Sequence, residues 1–62
     1  MEPDKILTVP DVAKYLKISR AKTYALVQRG EIPSIKLGRN VRIRESDLLA
    51  WIESQVRKPA GK

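Results

Sequence analysis

Two helix-start signals lie so close together in this sequence that they restrict how its first half can fold. Thr8 is followed three residues later by Asp11, a pattern typical of a capped helix start, and Pro10 is tolerated in the first turn, where its missing N–H has no helical partner. The apolar residues that follow at helical spacing are Val9, Val12, Ala13 and Leu16. Ser19 is the next N-cap candidate. The connection Lys17–Ser19 is too short for a long antiparallel helix pair, so we expect the two helices to cross steeply.

The first helix is predicted over residues 9–17 and the second over Ala21–Arg29. Gly30 can supply the left-handed residue that ends the second helix. A turn of three to four residues between two such helices is typical of a helix-turn-helix, with Ile18 held in the core between them.

A β-hairpin is predicted after Ile32-Pro33, which interrupts any helix. Apolar and basic residues alternate there with period two around a predicted three-residue turn, Gly38-Arg39-Asn40. The alternation places Ile35, Leu37, Val41 and Ile43 toward the core and Lys36, Arg42 and Arg44 outward. Because two strands are unstable alone, we expect this hairpin to pack on the helices.

A last helix is predicted to begin at Glu45-Ser46-Asp47, where acidic groups favour the positive helix end. Its apolar residues at helical spacing are Leu48, Trp51, Ile52 and Val56. Trp51 is interpreted as the largest core side chain, with base stacking as the alternative. Leu49 falls off this stripe and is expected to be exposed, either as a self-association contact or as an ordinary surface leucine.

Composition removes several classes of function. The chain has 62 residues and contains neither cysteine nor histidine, which argues against disulfides, the usual metal sites and the usual catalytic bases and nucleophiles. No cofactor is predicted, and an enzyme is not expected in so small a domain. The longest apolar run, Leu48–Ile52, has five residues, whereas a membrane helix needs about 20. We expect an intracellular, cytoplasmic and nucleoid-associated protein.

Positive charge is concentrated in the middle of the chain. The total is 13 Lys and Arg against seven Asp and Glu, a net charge of +6. Residues 14–44 contain nine basic residues against Glu31 alone, a local net charge of +8. Such a segment favours a polyanionic partner, most often nucleic acid, and the alternative is a solvated surface that only aids solubility.

The order of elements resembles the excisionase-type helix-turn-helix proteins, relatives of the MerR winged-helix domain. The resemblance covers about residues 6–53 and is carried by Leu7–Leu16, Ile18–Arg20, Thr23–Val27, Gly30–Pro33, Lys36–Arg39, Arg42–Ile43 and Asp47–Ile52. It implies a small α+β winged helix-turn-helix that binds double-stranded DNA with its second helix in the major groove and its hairpin wing on the backbone or minor groove. Members of the family act as excisionases or small transcriptional regulators.

At 100° per residue, the side of the second helix opposite its apolar face centres on Ala21, Ala25 and Gln28. Family members often carry longer polar or charged residues at the two alanine positions, which weakens the expectation of rich direct base readout here, although alanine can still contact a thymine methyl. The residues predicted to contact DNA are Ser19, Arg20, Lys22, Tyr24, Gln28, Arg29, Lys36, Arg39, Asn40 and Arg42. Several of them have structural alternatives: Ser19 as a cap, Tyr24 as cover for the core edge, Arg29 as a counter-charge at the helix end, and the wing residues as protection against edge pairing.

The domain is predicted over residues 6–55, between a flexible N-terminus (1–5) and a basic C-terminal tail (56–62). A single module of this size has a small DNA footprint, so we expect it to act with an integrase or recombinase, or with further copies of itself bound cooperatively. A docking module for an acidic protein is the alternative function. Single-stranded or RNA binding is disfavoured because three aromatic residues offer little stacking surface.

Overall fold

The computed structural model describes residues 5–57, and within them it shows the predicted small α+β winged helix-turn-helix. The elements are β1 (Ile6–Thr8), α1 (Val9–Leu16), α2 (Arg20–Gln28), β2 (Ile35–Leu37), β3 (Asn40–Arg44) and α3 (Glu45–Arg57). Residues 1–4 of the predicted N-terminus and 58–62 of the predicted tail lie outside this range. The last helix continues through Arg57, so it includes the first two residues assigned to that tail.

A capping box starts α1. The Asp11 backbone N–H donates to the Thr8 hydroxyl at 3.1 Å, and the Thr8 backbone N–H donates to the Asp11 carboxylate at 3.1 Å. The helix ends one residue before the predicted position, because Lys17 adopts a left-handed conformation with φ 60°. The next N–H, that of Ile18, then donates to the Ala13 carbonyl at 3.0 Å and closes the helix end.

Ser19 caps α2 as predicted. Its hydroxyl accepts a hydrogen bond from the Lys22 N–H at 3.0 Å, and its carbonyl accepts one from the Thr23 hydroxyl at 2.9 Å. Thr23 is fully buried, so this bond satisfies a polar group inside the core. The helix runs from Arg20 to Gln28, one residue earlier at both ends than predicted, and Gly30 has the expected positive φ of 77°.

The sheet has three strands, one more than predicted. Its order is β1-β3-β2, and both pairs are antiparallel. The additional strand β1 pairs Leu7 with Ile43, and it also pairs Thr8 with Arg42. A further backbone bond, from the Glu45 N–H to the Lys5 carbonyl at 2.8 Å, links the start of β1 to the start of α3. The hairpin is therefore supported on its β3 side by the N-terminal strand as well as by the helices.

The register of the hairpin corrects the predicted orientation of β2. Leu37 pairs with Asn40, so the connecting turn contains only Gly38 and Arg39, and the predicted three-residue turn is wrong. Directly paired residues share a face of an antiparallel sheet, and a one-residue difference in loop length inverts that face. Lys36 consequently shares the core-side face with its partner Val41. Ile35 and Leu37 lie on the opposite face, and Leu37 is 56% exposed.

The core lies between the sheet and the three helices. Its buried apolar residues are Val9, Val12, Leu26, Val27, Ile32, Ile43 and Leu48. The prediction of Trp51 as the largest core residue is wrong: it is half-buried and packs against the core, whereas the largest fully buried side chains are Ile32, Ile43 and Leu48. Val56 is 72% exposed and so leaves the predicted stripe, and Leu49 is exposed as predicted.

Candidate nucleic-acid interface

The outward side of α2 is accessible over its whole length. Thr23, Leu26 and Val27 are the buried residues of this helix. The exposed residues include Arg20, Ala21, Lys22, Tyr24, Ala25 and Gln28. Cationic side chains are thus concentrated in the first turn, where the helix dipole also favours anions, and two methyl groups occupy the centre of the exposed face.

A groove of about 410 Å³ separates α2 from the hairpin. Three of the predicted DNA contacts line it: Tyr24 and Gln28 from α2 and Lys36 from β2. The inverted orientation of β2 is the reason, because it turns Lys36 toward α2 and away from Arg42 on the other face of the sheet. The prediction that Lys36 and Arg42 share one outward face is therefore wrong. A two-residue turn beginning with glycine was the sequence signal that would have given the correct face.

A second concave surface, of about 460 Å³, lies between α1 and the start of α2. Its polar lining consists of Lys14, the predicted contacts Ser19 and Arg20, and the carboxylate of Asp11. Lys14 belongs to the basic segment 14–44 but is not among the predicted DNA contacts. Its position between the helices makes it a further cation available to a phosphate near the α2 N-terminus.

The tip of the wing consists of Gly38 and Arg39. Gly38 has φ 66°, and its position as the first of two loop residues is typical of a hairpin turn that requires glycine there. Arg39 is exposed on this turn. Asn40 is exposed as well, but it belongs to β3 and not to the tip as predicted.

Arg42 has contacts within the fold. It is half-buried in the central strand, and its Nη1 donates to the Val41 carbonyl oxygen at 2.9 Å. The pKa of Asp11 lies below its ordinary value, first because the Thr8 N–H donates to its carboxylate and then because of the Thr8 hydroxyl, with Lys14 and Arg42 adding favourable charge. Arg42, the direct partner of Thr8 in the adjacent strand, makes the smallest of these contributions.

Two further basic residues, Arg29 and Arg44, form ion pairs within the fold. Arg29 Nη2 lies 3.0 Å from Glu31 Oε2, with both side chains well exposed. Arg44 donates from Nε to Asp47 Oδ2 at 2.8 Å and from Nη2 to Asp47 Oδ1 at 3.1 Å. The predicted contact Arg29 thus has an acidic partner that any phosphate would have to displace, and Asp47 is more than a helix-start charge.

Across residues 5–57 no group of three or more acidic residues, His or Cys is placed to hold a metal ion. None of the helices within that range has the length and apolar character needed to cross a bilayer.

Helices joined by a tight turn and followed by a hairpin wing define the class of winged helix-turn-helix proteins. A family model described as a helix-turn-helix domain matches residues 6–56, and the chain belongs to this family.

Two relatives extend the comparison. A protein of Saccharopolyspora erythraea named "Probable excisionase" is 55% identical over 38 residues, which are 61% of this chain and 39% of that protein. A protein of Mycobacterium tuberculosis (strain H37Rv) named "Putative DNA-binding protein Rv0500A" is 38% identical over 50 residues, which are 81% of this chain and 64% of that protein. The chain thus spans less than two thirds of the length of either relative. No solved structure is a significant match.

Proposed function

We propose that the chain binds double-stranded DNA, with α2 in the major groove and the tip of the wing on the backbone or minor groove. The observation that carries this proposal is the convergence of Tyr24, Gln28 and Lys36 on the groove between α2 and the hairpin. Membership of the helix-turn-helix family and the names of the two relatives support it.

The residues fall into two proposed roles. Exposed cations flank α2 on both sides: Lys14, Arg20 and Lys22 near its N-terminus, and Lys36 and Arg39 on the hairpin. These would contact phosphates and position the domain. Gln28 and Tyr24 lie between the two groups and would face base edges, where the amide of Gln28 can bond an adenine in two places. Arg29 and Arg42 already have partners within the fold, so we expect them to make weaker contacts with DNA.

The salt dependence of duplex binding tests this proposal. If four to six phosphates are neutralised, the logarithm of the binding constant should fall against the logarithm of salt concentration with a slope of about −4 to −5. Fluorescence anisotropy of a labelled duplex, titrated at several KCl concentrations, gives this slope directly. A binding constant that is independent of salt, or an absence of duplex binding at low salt, would refute the proposal.

A matched pair of variants locates the interface. Lys36→Gln removes a positive charge from the groove and should make the slope shallower by about one. Lys5→Gln removes the same charge from an exposed residue before β1, at the opposite edge of the sheet from β2. It should change the slope much less. Equal effects of the two variants would show that binding follows net charge and not the groove.

We further propose that the chain acts as an excisionase or a small transcriptional regulator, in company with an integrase or with further copies of itself. The name of the S. erythraea relative supports the first role. A single module buries only about 600–1,000 Å² on DNA, which is little for tight and selective occupancy by one copy. Mobility-shift titrations should show higher affinity per site on tandem sites than on one site, and a circular-permutation assay should show bending if the chain is an excisionase.

A further inference from the structure

Two of the three residues at the centre of the exposed face of α2 are alanines. Ala21, Ala25 and Gln28 are all exposed, and helical geometry aligns them in one column along the axis. With a rise of about 1.5 Å per residue, the two alanine methyl groups lie about 6 Å apart along the helix, and Gln28 follows about 4.5 Å further on. The column therefore presents two methyl groups and then one amide.

We propose that Ala21 and Ala25 recognise the 5-methyl groups of thymines in the major groove, an inference that rests on the proposed duplex binding. Alanine side chains can neither donate nor accept hydrogen bonds, so these two positions cannot distinguish bases by their polar edges. The one apolar group that base pairs present in the major groove is the thymine methyl. The short alanine side chains also let the helix backbone lie close to the base edges.

The neighbouring residues fit this recognition. Arg20 and Lys22 are exposed in the same first turn and are suited to phosphates. The ring of Tyr24, 47% exposed, adds apolar surface beside the column. Successive bases on a strand are about 3.4 Å apart. Methyl groups 6 Å apart therefore match thymines about two steps apart, and Gln28 would reach an adenine one or two steps beyond.

Uracil substitution tests the inference because it removes only the 5-methyl group and leaves base pairing and the polar groove edges unchanged. A preferred duplex is first selected from a random pool, and each thymine in it is then replaced by deoxyuridine. We expect affinity to fall about fourfold for each methyl group contacted, the effect of losing one buried methyl. Replacements outside the contacted thymines should have no effect.

The variant Ala25→Ser assigns the effect to the helix. It replaces the exposed methyl by a hydroxymethyl group, and one thymine should lose its uracil penalty in this variant. Ala50→Ser makes the same change at an exposed alanine of α3 and serves as the control, with the full penalty retained. Circular dichroism of both variants verifies that the helices are intact.

The outcomes separate this inference from the proposed function. Equal affinity for thymine and uracil duplexes, with a normal salt slope, would overturn methyl recognition and leave DNA binding standing. A uracil penalty that is unchanged in both Ala25→Ser and Ala21→Ser would assign the methyl contacts to other residues and also overturn it. An absence of salt-dependent duplex binding would refute the proposed function itself, and this inference with it.

Discussion

Arg44, the last residue of β3, is held by two hydrogen bonds to Asp47 in the first turn of α3. The distances are 2.8 Å from Nε to Oδ2 and 3.1 Å from Nη2 to Oδ1. The planar guanidinium group thus meets both carboxylate oxygens, the arrangement in which arginine pairs most strongly. This pair links the end of β3 to the first turn of α3.

Asp47→Asn should lower the free energy of unfolding by about 1 kcal/mol, since it weakens this pair and removes a favourable charge at the helix N-terminus. The control is Glu31→Gln, which removes the same charge from the more exposed pair with Arg29. This control should lower the free energy of unfolding by less than about 0.5 kcal/mol. Urea denaturation of both variants measures the difference, and equal losses would contradict a structural role of the Arg44–Asp47 pair.

Lys17→Gly should stabilise the fold by about 0.5–1 kcal/mol. Lys17 has φ 60°, a conformation that is unfavourable for a residue with a Cβ and free of that cost for glycine. The matched control is Lys14→Gly, which removes the same charge from a helical residue in the last turn of α1 and should destabilise by about 1 kcal/mol. Thermal or urea unfolding gives both values. A destabilising effect of Lys17→Gly would show that the lysine side chain contributes more than its backbone conformation costs.

The lowered pKa of Asp11 makes part of the free energy of unfolding depend on pH. Because its pKa in the folded chain is lowered below the ordinary 3.8, the ionised carboxylate stabilises the fold, fully so at pH values above 3.8. This contribution is lost as the pH falls from there through the lowered folded pKa. Asp11→Asn should therefore be less stable than the parent chain at pH 7, and the difference should shrink at the acidic end. Melting temperatures measured from pH 7 down to pH 2 check this, and a constant difference would contradict it.

Arg39→Gln should weaken duplex binding and make the salt slope shallower by about one, because a cation on the protruding turn can reach the phosphates or a narrow minor groove. Arg29→Gln removes the same charge from a side chain already paired with Glu31, so its effect should be smaller. Anisotropy titrations at several salt concentrations compare the two. A larger effect of Arg29→Gln would contradict this prediction and assign the interface to the C-terminal end of α2 instead of the wing.

Local signals predicted the helical half of the fold. The capping pairs Thr8–Asp11 and Ser19–Lys22 act within four residues, so the sequence alone predicts the start of α1 at Val9 and that of α2 within one residue of Arg20. The C-terminal end of α1 has no such local signal. Lys17 takes a left-handed conformation that favours glycine, and nothing in its side chain indicates a helix end there.

The strands were harder to predict because their pairing is not local. Ile6–Thr8 carries no turn signal and becomes a strand only by pairing with β3, far along the chain. In the hairpin, a single residue of turn length decides the face of Lys36 and Leu37. The alternating pattern does not fix that length, and only a two-residue turn beginning with glycine indicates the observed face of Lys36. The α2 residues of the candidate groove follow from helical spacing, whereas the orientation of Lys36 depends on this one choice.

The place of β1 in the sheet also determines the order in which the molecule can assemble. Both helices of the helix-turn-helix and the whole of β2 lie between β1 and its partner β3 in the chain. Closing so large a loop is slow compared with forming helices and a tight hairpin. During synthesis, Ile6–Thr8 therefore leaves the ribosome long before it has anything to pair with. We expect its docking beside β3 to be a late step, in which the sheet and the start of α3 reach their final positions together.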